Sequence, residues 1–452
     1  MALACTQHHT HAISIEGSLY TSSTATAGQF ARPRDAPATA VRQVAAPAAA
    51  SDNLALVTDG GELWLRGLGA THAQQQEQAA LTRLPPAMLN DERVLMAALG
   101  EHHTAVVTQR GALYTFGQGP FAEFEHEVAE RIRRSHVPRR LSADLFHGER
   151  VAMAAVGAAH TVALTESGRV WIWGDNFRMG LGGDPHAYDA PLLLPHARFG
   201  GERVVMVAAA REHTAAVTQA GRLYTWGENS AGQLGHGHYA RVVGPTAVDA
   251  DLSVVTVACG FDHTLAVARD GSLWACGSGL FGKLGLGADL WPRTRLERVG
   301  NREYFGGRVV AAAAGYTHSA AVTEYGDVYT WGNNAMGQLG TGVHDSRNAP
   351  QQAPVPARCG RCCKPPRAHA LAFMLGLHAR LGGGGVVAAR TWREFAGSLL
   401  TGHGGRRVLP RSRVAALSDD MVDMVFQQSV PRWDGVGVGV RRLMGDDRAW
   451  RG

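Results

Sequence analysis

The stretch His213-Thr-Ala-Ala-Val-Thr-Gln-Ala-Gly221-Arg-Leu-Tyr-Thr-Trp226-Gly-Glu-Asn-Ser-Ala-Gly-Gln-Leu-Gly235 decides the fold, because similar stretches recur along the chain. In six copies a histidine is followed eight residues later by a glycine, and a seventh copy has Asn53 and Gly61 at these positions. The six pairs are His9/Gly17, His103/Gly111, His160/Gly168, His213/Gly221, His263/Gly271 and His318/Gly326. Copies spaced 44–57 residues apart have the length of four-stranded blades. The sequence therefore predicts an all-β, seven-bladed β-propeller.

Each copy contains three short runs rich in β-branched, small and aromatic residues, which are typical of strands. The glycine between the second and third runs follows a polar pair, as at Gln219-Ala220, and predicts a tight turn with positive φ. We expect alanines in the first two strands to let blades approach near the axis, and Trp or Tyr of the third strand to fill the outer gap. An outer strand is expected to precede the histidine strand, as at Pro245-Thr-Ala-Val248. The first copy lacks it, so residues 349–358 are expected to supply it and close the ring.

The repeats predict one propeller domain over residues 1–358, followed by a basic, Gly/Arg-rich tail over residues 359–452. Copies lie near residues 1–30, 51–70, 94–118, 151–183, 204–237, 254–287 and 309–342. In the tail, residues 367–381 and 417–427 have helical patterns between glycine-rich linkers. The tail is thus either a small, partly helical extension or partly disordered.

The charge of the chain is distributed unevenly. Residues 350–452 hold 16 Arg or Lys and 7 Asp or Glu, a net of +9 that leaves −4 on the rest of a chain whose total is +5. A basic tail suits an acidic partner, such as nucleic acid or an acidic protein face, although arginine-rich sequence also serves solubility.

The sequence shows neither a secretory signal nor an apolar run long enough to span a membrane. Six cysteines in 452 residues do not form a secreted disulfide framework. We therefore expect a soluble intracellular protein, cytoplasmic or nuclear, with no membrane partner.

No motif in the sequence supports catalysis. Residues 277–284 approach a phosphate-binding loop, but Leu284 replaces the required Ser or Thr, and Lys283 stands where neighbouring copies have Gln. Cys359 and Cys362 offer one CxxC pair, whereas a closed zinc site needs four ligands. The recurring histidines are expected to satisfy polar groups between blades. We predict no enzyme activity, cofactor, metal or small-molecule substrate.

An insertion over residues 119–140 is the candidate for partner binding, because long loops on rigid scaffolds often carry function. Its aromatic and arginine side chains are of the types enriched at interfaces. The candidates are Phe121, Phe124, Arg131, Arg133, Arg134, Arg139 and Arg140. The alternative is a solvated loop with a short helix.

The His-Thr step, the turn glycine, the Tyr-x-Trp-Gly step and the Asn-x-x-Gly-Gln-Leu-Gly end resemble the repeats of the regulator of chromosome condensation family over residues 1–345. The resemblance implies a propeller that binds a protein partner as a non-catalytic scaffold. The family also contains a nucleotide exchange factor for the small GTPase Ran, which docks on nucleosomes, and ubiquitin-ligase modules, so these roles stay open. Light sensing, known in one plant member, would need Trp in Gly-Trp-Arg-His-Thr steps, and Phe261 and Tyr316 stand there instead.

Overall fold

The computed structural model of the chain describes residues 2–14, 17–22, 29–47, 53–67, 80–118, 134–175, 180–181, 188–301 and 303–355. Their strands form seven antiparallel sheets, and each sheet uses four consecutive strands. The first strands of neighbouring blades contact one another around the whole ring and so surround its axis. The predicted all-β, seven-bladed β-propeller is confirmed.

The strands of the first four blades are as follows. Blade one contains β1 (Ala2–Cys5), β2 (Thr10–Ile13), β3 (Leu19–Ser22) and β4 (Phe30–Ala31), and blade two contains β5 (Val41–Ala45), β6 (Leu54–Thr58), β7 (Leu63–Arg66) and β8 (Thr82–Arg83). Blade three contains β9 (Val94–Leu99), β10 (His103–Thr108), β11 (Leu113–Gln118) and β12 (Arg134–Arg140), and blade four contains β13 (Val151–Val156), β14 (His160–Thr165), β15 (Val170–Gly174) and β16 (Tyr188–Leu194).

The last three blades repeat the pattern most regularly. Blade five contains β17 (Val204–Ala209), β18 (His213–Thr218), β19 (Leu223–Gly227) and β20 (Val242–Ala247), and blade six contains β21 (Val254–Cys259), β22 (His263–Ala268), β23 (Leu273–Gly277) and β24 (Arg293–Val299). Blade seven contains β25 (Val309–Ala314), β26 (His318–Thr323), β27 (Val328–Gly332) and β28 (Arg347–Ala353). Short 3₁₀ helices span Pro86–Leu89, Ala143–Phe146, His196–Phe199 and Leu280–Gly282.

The ring closes differently from the sequence prediction. β28 pairs with β27 and completes blade seven, while blade one already has four strands of its own. The expectation that residues 349–358 would complete blade one is therefore wrong, and the outer strand follows the histidine strand within each blade. Side-chain and packing contacts close the ring instead, since β1 packs on β25 and β26 and Thr10 Oγ1 donates to the Gln338 carbonyl at 2.7 Å.

The turn glycines and the buried aromatic residues have the predicted places. In all seven blades, the glycine in the turn between the second and third strands has a φ between 78° and 89°, a region that residues with a Cβ rarely adopt. Trp173, Trp226 and Trp331 of the third strands are fully buried, and so are alanines of the second strands such as Ala216. Large side chains thus fill the wide gap between blades, and small ones line the narrow one.

The up-and-down order of the strands gives each blade two ends with different connections. Connections from the first to the second strand and from the third to the fourth lie at one end, which we call the loop face. The hairpins between second and third strands, and the links between blades, lie at the other end, the hairpin face. Among the described residues, no helix has the length and apolar character that crossing a membrane requires. The predicted helices of residues 367–381 and 417–427 lie outside the described residues.

Candidate protein-interaction surface

The repeat histidines connect neighbouring blades. In five of them Nε2 lies 2.7–3.0 Å from the hydroxyl oxygen that follows the histidine of the next blade. The pairs are His103–Thr161, His160–Thr214, His213–Thr264, His263–Ser319 and His318–Thr10. These contacts confirm the structural role predicted for the histidines, because the imidazoles are buried and their Nε2 atoms face their own chain.

The hydroxyl groups also fix the tautomer of the histidines. Thr264 Oγ1 donates to the Gln233 carbonyl at 2.7 Å, so its single proton is used and it must accept the proton of His213 Nε2. His213 therefore carries a proton on Nε2. Burial lowers the pKa of His213 to about 4, and among the described residues Nδ1 has no hydrogen-bond partner that would stabilise a second proton, so the ring is neutral at pH 7.

Lys283 is a buried cation on the loop face of blade six. Its ammonium group is paired with the carboxylate of Asp262, and only 2% of the residue is exposed. Its carbonyl accepts from Ser319 Oγ at 2.8 Å, as the Gln233 carbonyl accepts from Thr264, so Lys283 does occupy the repeat's glutamine position. Burial lowers the pKa of Lys283, and Asp262 opposes that shift. The lysine is committed to an internal ion pair, which leaves it unsuited to a phosphate.

The loop between β23 and β24 exposes four large apolar side chains, which we call the blade-six patch. They are Leu280, Phe281, Leu290 and Trp291, with 60%, 50%, 41% and 76% exposure. The two halves of the loop touch, because a Cβ added to Gly279 would lie 2.4 Å from the Leu290 carbonyl oxygen. Exposed apolar clusters of this kind are typical of interaction sites.

The backbone that presents Trp291 is held in place by charged groups. Asp289 Oδ1 accepts from the Trp291 N–H at 3.0 Å, and Arg293 donates to the Trp291 carbonyl at 3.0 Å. The guanidinium group of Arg293 also bonds Asp289 at 2.6 Å and Glu297 at 2.8 Å. The Trp291 N–H holds the pKa of Asp289 below its usual range. This network fixes the backbone that carries the indole before any partner arrives, which lowers the entropic cost of binding.

Phe281 shows local backbone strain within the same patch. Its φ of 62° and ψ of 8° lie in the left-handed region, where a bulky residue is uncommon. Such strain concentrates at functional sites, since surrounding structure must maintain it. The corresponding loops of blades five and seven also expose apolar side chains, at Tyr239, Met336 and Val343.

A second feature of the loop face lies nearer the axis, in the connections that precede the repeat histidines. The guanidinium carbon of Arg211 lies 4.9 Å from the ring centroid of Phe261, within cation–π distance. Phe261 in turn contacts Tyr316 edge-on, with centroids 4.3 Å apart. Three neighbouring blades thus contribute to one half-buried row of aromatic and cationic groups.

Most of the residues predicted to bind a partner cannot be placed. Phe121, Phe124, Arg131 and Arg133 lie outside the described residues, and so does the basic tail, so these predictions stay open. Arg134, Arg139 and Arg140 belong to the outer strand β12. Arg139 pairs with Thr115 of β11, and Arg140 pairs with Tyr114. The expectation that the loop continues to residue 140 is therefore wrong, because the strand begins at Arg134.

Sequence reasoning missed the blade-six patch. The signal was present, since Leu280 and Phe281 stand where blade five has Ser230 and Ala231, and bulky apolar residues are unusual in an exposed turn. Among the described residues, no group of three or more His, Cys, Asp or Glu could hold a metal ion.

Seven sheets of four consecutive strands, with histidine–hydroxyl bonds at five of the interfaces between blades, define the class of regulator-type β-propellers. The family model for the RCC1-like domain matches residues 1–370, and the chain belongs to that family. A curated relative, the ultraviolet-B receptor of Arabidopsis thaliana, is 32% identical over 277 residues, 60% of each chain. The human E3 ubiquitin-protein ligase HERC2 is 30% identical over 51% of this chain but only 5% of its own length. This chain thus spans less than two thirds of both relatives.

Solved structures show the same fold. Prp20p from Saccharomyces cerevisiae, whose structure was reported together with its binding to Gsp1p and histones, superposes with a TM-score of 0.61 at 19% identity. The match covers 72% of this chain and 80% of that one. Human WBSCR16 gives a TM-score of 0.62 at 22% identity, over 72% and 84% of the two chains. At these identities the likeness concerns the fold alone.

Proposed function

We propose that the chain is a non-catalytic scaffold that binds a protein partner through the loop face of its propeller, with the blade-six patch as the main anchor. The observation that carries the proposal is Trp291, an indole that is 76% exposed on a backbone fixed by Asp289 and Arg293. Tryptophan is among the residues that most often dominate binding energy at protein interfaces. An indole on a fixed backbone, in the same loop as exposed Leu280, Phe281 and Leu290, fits a partner with an apolar patch.

Replacing Trp291 with alanine is expected to weaken partner binding by roughly 30-fold, the equivalent of about 2 kcal/mol for an interfacial hot spot. Stability should change little, within about 0.5 kcal/mol, because the side chain contributes little to the core. The measurement is quantitative capture of proteins from cell extract on immobilised full chain, read by mass spectrometry, together with thermal unfolding of each variant.

Met88→Ala is the matched control. Met88 is a large apolar side chain with 39% exposure, but it lies in the link between blades two and three, on the hairpin face. Proteins that Met88→Ala retains and Trp291→Ala loses are the partners of the patch. If the natural chain, Trp291→Ala and Met88→Ala capture identical sets of proteins, the patch is ruled out as the anchor.

The identity of those proteins also separates the roles that the family resemblance leaves open. A small GTPase among them would lead to a release assay with a fluorescent nucleotide, in which acceleration by the full chain identifies an exchange factor. Subunits of a ubiquitin ligase would instead identify a substrate-recognition module.

A further inference from the structure

The links between blades differ in length and in the side chains that they bury, and the link between blades one and two, residues 32–40, holds only alanine and proline as apolar residues. Counted after the last residue whose backbone pairs with the third strand, four links have nine residues each, at 85–93, 142–150, 195–203 and 300–308, and each inserts one bulky apolar side chain into the gap between two blades. These plugs are Leu89, Phe146, Phe199 and Phe305, all buried. The link between blades five and six, residues 249–253, has only five residues, and its bulky apolar side chain, Leu252, is only half-buried against the neighbouring core cluster.

The gap that this short link leaves is a cavity of about 340 Å³. Leu223, Val248 and Val254 are among its lining residues. The Val248 N–H donates to the Leu223 carbonyl, as the Leu141 N–H does to Leu113 in the plugged interface of blades three and four. In the core around Phe199 the corresponding residues are Val170, Leu194 and Val204, and around Phe305 they are Leu273, Val299 and Val309. The cavity is therefore the place where a plug would sit.

The neighbouring tryptophan differs in burial from its counterparts beside the nine-residue links. Phe199 contacts the Tyr224 ring edge-on at 5.5 Å, and Phe305 contacts Tyr329 at 5.0 Å. Both tyrosines are buried, whereas Trp274, which has the same register in blade six, is only half-buried. Trp274 packs on the same cluster as Leu252 and Leu296, two further residues of the cavity wall. Trp274, in the register of the tyrosines that contact a plug, thus stays partly exposed.

The rim of the cavity carries negative charge. Asp249 lines it and Asp251 follows two residues later, and both are exposed. Within the described part of the chain neither carboxylate has an ion-pair partner. The one cationic residue of the rim, Arg222, is already bonded to Glu202 at 3.2 Å. The rim therefore favours a ligand with a positive charge beside its apolar group.

We propose that this cavity is a socket for a phenylalanine side chain of a partner protein, presented beside a lysine or arginine that pairs with Asp249 and Asp251. The phenylalanine completes the interface of blades five and six as Phe199 completes the preceding one. A volume of about 340 Å³ lies within the range of roughly 300–1,000 Å³ found for ligand sites. The inference rests on the proposed scaffold function, since it assigns a second contact for the partner, on the hairpin face.

The test uses a peptide with the sequence of the chain's own plug link, residues 195–203, in which Arg198 precedes Phe199. We expect it to bind the full chain in a fluorescence-polarisation titration, and replacing its phenylalanine with alanine should weaken binding at least about tenfold. Replacing residues 249–253 of the full chain with the nine-residue link fills the socket in cis. That variant should lose peptide binding and unfold at a higher temperature.

Charge reversal provides a variant that leaves the core untouched. Asp249→Lys with Asp251→Lys should weaken the peptide about tenfold, and a peptide with glutamate in place of Arg198 should recover the loss. Trp291→Ala should leave peptide binding unchanged, so failure of the socket and failure of the blade-six patch are separately visible. No saturable binding up to about 1 mM peptide, which corresponds to about 4 kcal/mol, overturns the socket. A dimer of the chain that the peptide dissociates would assign the socket to a second copy and also overturn the proposal.

Discussion

Asp262→Ala is expected to lower the free energy of unfolding by about 3 kcal/mol, because it leaves the buried ammonium group of Lys283 without its counter-charge. This loss lies at the lower end of the usual range for a broken buried ion pair, because the Asp262 side chain is 22% exposed and the pair is not fully shielded from water. Equilibrium unfolding in urea, followed by tryptophan fluorescence, measures the loss.

The repeat itself supplies the compensating change. Lys283→Gln restores the residue that blades five and seven have, where the side chains of Gln233 and Gln338 accept a backbone N–H within their own turn. The double variant Asp262→Ala with Lys283→Gln should therefore unfold within about 1 kcal/mol of the natural chain. If the double variant is as unstable as Asp262→Ala alone, the lost energy comes from the aspartate's other contacts rather than from the unpaired charge.

Acidification from pH 7 to pH 5 is expected to lower the free energy of unfolding by roughly 4 kcal/mol through two histidines alone. Burial lowers the pKa of His103 and of His213 from 6.5 to about 4; His102 adds to the first shift and Glu228 opposes the second. Between pH 6.5 and pH 4 these two histidines bind protons in the unfolded chain but remain neutral in the folded chain. Stability is therefore fully present above pH 6.5, and each histidine has lost roughly 2 kcal/mol at pH 5.

Other buried histidines act in the same direction. The pKa values of His11 and His263 are also lowered, with burial as the largest cause. Carboxylates with lowered pKa values, such as Asp270, contribute to acid lability only in more acidic solution, where carboxyl groups of the unfolded chain bind protons. Urea unfolding at pH 7, 6 and 5 measures the slope, and the histidines predict a steady fall across this range.

His213→Asn is the matched variant for the acid prediction, since Asn53 occupies the same repeat position in blade two. This variant loses stability at pH 7 but should lose roughly 2 kcal/mol less than the natural chain on going to pH 5. An unchanged difference between pH 7 and pH 5 would show that His213 does not carry the effect.

The sequence predicted the parts of the fold that depend on local geometry. Turn glycines, buried third-strand aromatics and blade number follow from residues that recur at fixed offsets, and the structure confirms them. The place of the outer strand was predicted wrongly, because a repeat has a period but no marked beginning. β20 also lacks regular alternation of buried and exposed residues, and β4 and β8 have two residues each.

The candidate sites were harder to predict for a different reason. The exposure of Trp291 depends on the contacts among residues 279–293, and no local sequence pattern predicts those contacts. The socket depends on a length difference, five residues against nine, and becomes visible only once strand register shows where each link begins and ends. The arginines of β12 illustrate the same limit, because a loop and an irregular outer strand have similar compositions.

The closure of the ring bears on how such a chain can change over generations. Because every sheet is built from four consecutive strands, one repeat of the sequence corresponds to one blade of the structure. A duplication or deletion of one copy adds or removes a whole blade and divides no sheet. Blade number in this architecture can therefore vary in single steps, and the last blade meets the first through the same kind of histidine–hydroxyl bond, His318 to Thr10, that joins consecutive blades from blade three to blade seven.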